Sequence, residues 1–455
     1  MDWKFDCFYG QPGPNEGLEP SEGDLISAVE YDPTGQFIAL GDTGGRITIL
    51  ERIRVGQKKE ATEVRLHVRF QSHLPEFDYL KSVEIEEKIN PMVWLKRINQ
   101  HNMILAANDK TIKMWKIRSQ PSGSGVGFRR SGGPCATQSP MQVGQHDMGF
   151  QCHSLKRTYG SVHAYHINSM SLSCDSESFL SADDLRINMW HWDRDESLNV
   201  VDIKPANMED LTEVITSACF HPEQCSTFMY STSKGTIKVG DLREAAVVQQ
   251  CSKAFEVEED PANKTFFSEI ISSISDAKFS KDGRYILARD YVTLKIWDVN
   301  MERQPVKVLN LHDSLRSRLC DLYENDCIFD KFECTWSGDS RYCFTGSYRN
   351  HFKVTDVSFI TTSGSTQPKG TKTISIPRPI PPTTYTFEAS KPKIKKSNLG
   401  GLRKFGAKGV VNKADESYDK CTQADFNKKV LHLAAHPFEN EMAVAAQNVL
   451  YIFSC

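Results

Sequence analysis

The chain has 455 residues, 39% of them hydrophobic and 25% charged, with a net charge of −3. These values sit near globular averages and exclude wholesale disorder, and the slightly acidic balance argues against a general nucleic-acid binder. No apolar run approaches the roughly 18 residues that a membrane span needs.

The opening MDWKFDCFYG carries neither a basic n-region nor an apolar h-region, so the expected location is cytoplasmic. Within it WKFDCF, residues 3–8, alternates like a strand. A pattern then recurs: an apolar strand, a polar turn, and an alternating strand closing on Trp or a substitute. Seven copies begin at Leu25, Ile89, Ile167, Val214, Ile271, Phe332 and Val430. Each supplies three or four short strands with turn residues between them.

Such a unit cannot bury both sheet faces alone, and radial repetition solves this while leaving few exposed edges. The sequence therefore predicts an all-β fold, a seven-bladed WD-repeat β-propeller forming one domain over 1–455, with residues 3–8 pairing into the last blade. Only Trp297-Asp298 keeps the full Trp-Asp pair; Trp115 and Trp190 keep the ring, and Asp241 and Asp356 the acid.

Two segments exceed the repeat. Residues 118–162, rich in Gly, Ser and Pro, read as an inserted arm after blade 2; residues 357–425 read as a basic, disordered low-complexity insertion before blade 7. Lys391, Lys393, Lys395, Lys396, Arg403, Lys404, Lys408 and Lys413 place +8 in the second with no acid among them, which leaves −11 on the remainder. A compact propeller with that excess attracts basic partners. The lysine-rich run reads as a solvated loop, with nuclear entry or an anionic contact as alternatives.

Acids gather between strands: Glu84, Glu86 and Glu87; Asp183 and Asp184; Glu209, Asp210 and Glu213; Glu324 and Asp326. Propeller loops collect at the two ends of the central channel, so acids from separate blades are expected to share one rim. Counting back from the closing Trp aligns Asp184 with Asp109 and Asp183 with Asp290. One of the pair is expected to bond turn amides and the other to face outward.

Signs of chemistry are weak. His163 and His166 lack a third ligand at recognisable spacing and read as packed or surface residues. Gly41-Asp42-Thr43-Gly44-Gly45 reads as a tight turn. The thirteen scattered cysteines, with no C-x-x-C, imply neither zinc nor disulfides, and most are expected to be small buried apolar residues. The terminal Cys455 does not fit a prenylation signal. No P-loop, G-x-S-x-G or H-E-x-x-H occurs, so no cofactor, metal or catalysis is expected.

The strings PEFDYLKSVEIEEKIN, YHINSMSL, LSADDLRINMWH, VDIKPANMEDLTEVI, FFSEIISSISDAKFS and LYENDCIFDKFEC resemble the WD-repeat B-type regulatory subunit of serine/threonine protein phosphatase 2A. The resemblance implies a non-catalytic specificity factor that joins a HEAT-repeat scaffold A subunit and a catalytic C subunit and selects phosphoserine and phosphothreonine substrates. It assigns scaffold binding to residues 118–162, although this glycine-rich arm departs from the family's hairpin. The implied substrate groove comprises Ser82, Lys88, Tyr165, His166, Asp184, Glu209, Leu211, Tyr323, Glu324, Asp326 and Lys331, with the aromatic pair Phe266 and Phe267. Thr43 stands where the family places a lysine. A rival reading is a generic propeller hub, such as a ubiquitin-ligase substrate receptor or a histone-binding scaffold.

Overall fold

The computed structural model describes residues 3–10, 21–55, 61–79, 81–98, 101–118, 152–160, 162–244, 247, 251–257, 265–357, 384–389 and 426–455. They form a seven-bladed β-propeller of four-stranded antiparallel sheets. Blade 3 shows the plan: Ser169–Leu172, Ser178–Ala182, Arg186–His191 and Ser197–Asp202 follow one another outward as a meander. The innermost strands of successive blades touch all the way round, the seventh meeting the first.

The core is divided among the gaps between blades. Short β-branched and aromatic strands supply apolar side chains to both faces of every sheet, and each face meets its neighbour. Trp115 and Ile104 of blade 2 thus pack with Ile47 and Ile49 of blade 1, and Trp297 and Ile286 of blade 5 with Met229 and Phe255 of blade 4. Seven such clusters account for the seven gaps.

The N-terminal strand closes the ring as its alternation predicted. Lys4–Tyr9 pairs antiparallel with Val449–Ser454 and becomes the outer strand of blade 7. Trp3, 3% exposed, packs edge-on against Phe344 of blade 6 at 5.3 Å. At the seam with blade 1, Arg52 bonds the buried Glu441 at 2.6 Å, and Tyr31 donates to the same carboxylate at 3.0 Å.

Two expected insertions are narrower than the composition suggested. His153–Tyr159, inside 118–162, is the outer strand of blade 2, and Thr384–Glu388, inside 357–425, is the outer strand of blade 6. Residues 119–151, 358–383 and 390–425 lie outside the described residues, and the lysine-rich run lies wholly within the last of these. At the root of the arm the Arg118 amide donates to the Cys152 carbonyl at 2.8 Å. The cysteine expectation also changes: of eleven described cysteines only Cys334 and Cys343 are fully buried.

Candidate functional site

A meander of four strands sends its middle turn and its exit to the next blade toward one face, here called upper. Its other two turns go to the lower face. The expected site residues all fall in upper-face segments. Ser82 and Lys88 lie between blades 1 and 2, Tyr165 and His166 between 2 and 3, and Glu209 and Leu211 between 3 and 4. Phe266 and Phe267 lie between blades 4 and 5, and Tyr323, Glu324, Asp326 and Lys331 between 5 and 6. Asp184 is in the middle turn of blade 3. They span five consecutive junctions, a broad arc rather than one pocket. The arm at Arg118 and Cys152 joins the third and outer strands of blade 2 and so leaves the lower face.

The adjacent aspartates have different jobs. Asp183 is wholly buried; its Oδ1 accepts the amides of Leu185 and Arg186 at 2.8 and 2.7 Å. Its Oδ2 faces His163 Nδ1 at 2.9 Å, His163 Nε2 meets Ser181 Oγ at 2.6 Å, and Trp190 Nε1 donates to that hydroxyl at 2.8 Å. The Asp183 carboxylate can only accept, so Nδ1–H donates to it; in that tautomer Nε2 accepts from the Ser181 hydroxyl, whose oxygen in turn accepts the Trp190 N–H. Burial alone would raise the Asp183 carboxyl, but the bonds from His163, Leu185 and Arg186 outweigh it and hold it below its usual range.

Ser181, His163 and Asp183 thus share the connectivity of a hydrolase triad. Ser181 is 0% exposed and capped by Trp190, so no substrate carbonyl can reach its oxygen, and the chain of bonds is structural.

Asp184 is half-buried beside them. Burial is the main cause that lifts its carboxyl above the ordinary range, and Asp183 adds to it; Lys331, His166 and Asn168 oppose the rise. Lys331 comes from the far side of the channel mouth, so an acid of blade 3 and a base from the entry to blade 6 feel each other across it. His166 Nδ1 also lies 2.9 Å from Asp109 Oδ2. The turn-capping role sits seven residues before the ring: Asn108 and Asp290 accept turn amides as Asp183 does. Asp109 and Asp184, one residue later, are the pair left for other contacts.

The remaining acids divide. Glu84, Glu86, Glu209, Asp210, Glu324 and Asp326 are exposed, whereas Glu213 is taken by Lys238 at 2.5 Å. Glu209 and Leu211 are set by the one-turn helix Met208–Asp210, where the Asn207 side chain accepts the Glu209 amide. Asp326 takes a left-handed φ of 56° at the end of the helix Leu319–Glu324 and turns the chain down toward blade 6.

Beside these acids lies an apolar step. Phe266 and Phe267 open the helix Phe266–Ser272, which Thr265 and Ser268 start with a reciprocal capping box. Both rings meet Tyr323 edge-on at 5.7 and 6.1 Å. Phe266 is 67% exposed. The step rests on an upper-face cluster of Tyr291, Leu315, Leu322, Ile328, Phe332 and Tyr348. Phe329, 5.9 Å from Tyr323 and exposed, extends it, a residue that the sequence alone does not single out. A separate aromatic pair stands on the upper-face hairpin Glu76–Asp78 with Val83–Ile85, between blades 1 and 2, where Phe77 and Tyr79 are exposed among acids. Aromatics within acid-rich loops are the available signal in both cases.

Among the described residues no group of three or more His, Cys, Asp or Glu is placed to hold a metal, and no helix is long and apolar enough to cross a membrane. Thr43, half-buried, donates to the Glu22 carbonyl and so serves its own turn.

No family model matches the chain. Over 463 aligned residues, 99% of this chain and 97% of the relative, it is 47% identical to the B regulatory subunit of protein phosphatase PP2A from Schizosaccharomyces pombe (strain 972 / ATCC 24843). With that identity over essentially the full length, and a seven-bladed propeller beneath it, the chain belongs to the family of B-type regulatory subunits of protein phosphatase 2A, which are regulators and not enzymes.

Proposed function

We propose that this chain is the substrate-selecting subunit of a protein phosphatase 2A heterotrimer. The lower face and the arm of 118–152 hold the HEAT-repeat scaffold, and the upper face receives basic phosphoserine and phosphothreonine proteins for the catalytic subunit. What carries this reading is a division of labour between the faces: exposed acids beside an aromatic step on the upper, and the arm root on the lower. There the long strands Arg46–Val55 and Ala61–Gln71 of blade 1 run alongside, and His67 reaches the Arg118 carbonyl at 3.2 Å.

The chemistry suits a cationic, partly apolar segment. Exposed Glu209 and Asp210 flank Leu211, and Glu324 and Asp326 flank the Phe266–Tyr323 step, so each offers an apolar anchor ringed by charge. Rim charges chiefly raise the encounter rate, and do so less as salt rises. The phosphate itself would lie with the catalytic subunit, since acids repel it. The same reading puts the chain in the cytoplasm, with the lysine-rich run available for nuclear entry.

Asp184→Lys and Leu211→Ala, each in the assembled heterotrimer, test it. Both should leave co-purification with scaffold and catalytic subunits intact and lower dephosphorylation of a basic-flanked phosphoprotein about tenfold, without changing turnover of a small phosphopeptide. Unchanged turnover of every protein substrate by Asp184→Lys would remove the acidic-groove assignment. Recovery of ligase or chromatin subunits and no phosphatase would favour the hub reading.

A further inference from the structure

Near the upper end of each second strand one residue faces the gap to the next blade, paired with the first apolar residue of the third strand. In six blades it is small: Gly41, Ala107, Ala182, Ser231, Gly346 and Ala445. The chain entering the next blade presses on this spot. A Cβ on Gly41 would stand 2.6 Å from Ile89, and one on Gly346 1.9 Å from the Val430 carbonyl oxygen. In blade 5 the position is Arg289, paired with Leu294. The residue entering blade 6 is Phe332, and the Arg289 guanidinium lies over its ring, 5.4 Å from the centroid.

Arg289 is 0% exposed, and its contacts do not use up its hydrogens. Nη2 lies 3.4 Å from the Tyr291 carbonyl oxygen and 3.2 Å from His312 Nδ1, whereas Nε and Nη1 have no partner, and among the described residues Arg289 forms no ion pair. The acids of the neighbourhood are already taken. Asp290 has Lys295 at 2.8 Å and the amides of Val292 and Thr293; Asp330 has Lys429 and the Tyr348 hydroxyl; Asp276 has Lys278 at 3.7 Å. Burial pushes the guanidinium down to about 10, so at neutral pH it is still a cation. His312 beside it is held well below its usual range by burial and by the charges of Arg289 and Lys353. A buried charge is costly unless opposite charge or enough acceptors meet it, and here two neutral acceptors and a ring leave Nε and Nη1 unserved.

We propose that Arg289 holds a small inorganic anion, chloride, buried between blades 5 and 6 beneath the upper face. The ion accepts from the guanidinium N–H groups and offsets a charge that the fold otherwise buries alone. A carboxylate from a partner protein cannot serve, because Arg289 is closed off from the surface. Tyr291 and Phe332, which Arg289 touches, belong to the cluster under the Phe266–Tyr323 step, so the ion firms the floor of that step. This holds whatever the upper face binds.

Crystals of the full chain grown in sodium bromide, measured at the bromine absorption edge, test the site directly. Melting in sodium chloride against sodium gluconate, at one ionic strength, tests its effect. The expected results are an anomalous peak within hydrogen-bonding reach of the Arg289 guanidinium and a melting point roughly 1–3 °C higher in chloride. Arg289→Met, which puts an apolar chain of similar shape in place of the charge, should melt alike in both salts. No peak beside Arg289, or a chloride response of equal size in Arg289→Met, would overturn the proposal. A peak with no melting response in the parent would mark an adventitious ion only, and overturns it as well. The two measurements on the parent decide the matter even where the variant folds poorly.

Discussion

His436 Nε2 in blade 7 lies 3.2 Å from the carbonyl oxygen of Gly35 in blade 1 and donates to it across the seam where the ring closes. Its Nδ1 accepts the amides of Phe438 and Glu439 at 3.2 and 2.9 Å, so the tautomer is fixed and the ring neutral. Gly35 has φ +71°, and a Cβ there would stand 2.0 Å from Nε2. His221 and Gly283 repeat the arrangement between blades 4 and 5, with φ +69° and 2.1 Å. Gly35→Ala and Gly283→Ala are each expected to cost about 2–4 kcal/mol, since left-handed strain and a displaced histidine add. Urea titration measures this, and an unchanged midpoint for Gly35→Ala would contradict the seam described.

Asp183→Asn and Asp184→Asn, one residue apart, should behave oppositely. The first weakens a buried carboxylate that serves two amides and His163, at a cost of about 1–3 kcal/mol. The second should leave stability within about 0.5 kcal/mol, because Asp184 is half-buried and lies outside that network. The pH dependence follows from the direction of the shift. The folded carboxyl of Asp183 lies below its unfolded value, so its contribution is complete above the unfolded value and is lost as pH falls through the folded one. The stability gap between parent and Asp183→Asn should therefore narrow on acidification below about pH 4. A gap that widens there would mean Asp183 is not held as an anion.

The blades were legible because each needs apolar strands separated by turn formers, and such a pattern survives the loss of the Trp-Asp pair. The closing strand was legible for the same reason, since Phe5 and Cys7 alternate with Lys4 and Asp6. The outer strands of blades 2 and 6 were not. His153–Tyr159 carries Lys156 and Arg157 on an edge with a partner on one side only, and such a strand needs no continuous apolar face. That one of Asp183 and Asp184 caps a turn was readable, but which one was not, because the equivalent cap in blade 2 is an asparagine, Asn108. The electrostatic influence of Lys331 on Asp184 across the channel mouth leaves no local trace at all. Phe329 is equally silent, because one aromatic near a buried Ile328 reads as core until the loop is folded.

Trp3 is the hinge pin of ring closure. It is buried against Tyr342 and Phe344 of blade 6, while the strand it leads pairs with blade 7, so it ties the last two blades together. Trp3→Ala is expected to cost about 3–5 kcal/mol. Hydrogen exchange should then show Val449–Ser454 opening ahead of the strands of blades 2 to 4. Uniform loss of protection around the whole ring would instead mean that closure and blade packing are one cooperative unit.

The channel holds a charge balance that predicts a second pH effect, of opposite sign. Glu30 on the innermost strand of blade 1 couples electrostatically to Lys278 and Asp276 of blade 5 and to Glu333 at the entry to blade 6, so all four line the channel. Lys278 lies 3.7 Å from Asp276, and Glu333 is bonded by His432 at 3.0 Å, so the single lysine is already matched before Glu30 is counted. Burial first, and then the two other acids, lift Glu30 to about 7 against the pull of Lys278. A carboxyl raised on folding carries no penalty while both states are protonated, and a growing one as pH rises from the unfolded toward the folded value. Glu30→Gln, neutral throughout, should be indistinguishable from the parent near pH 4.5 and more stable above pH 7. Channel water screens the half-buried side chain, so the gain should be about 1 kcal/mol rather than the ~3 kcal/mol of an unscreened shift. Denaturant midpoints at pH 5, 6, 7 and 8 trace the curve, and a Glu30→Gln variant less stable than the parent at pH 8 would show that Lys278 needs this third acid.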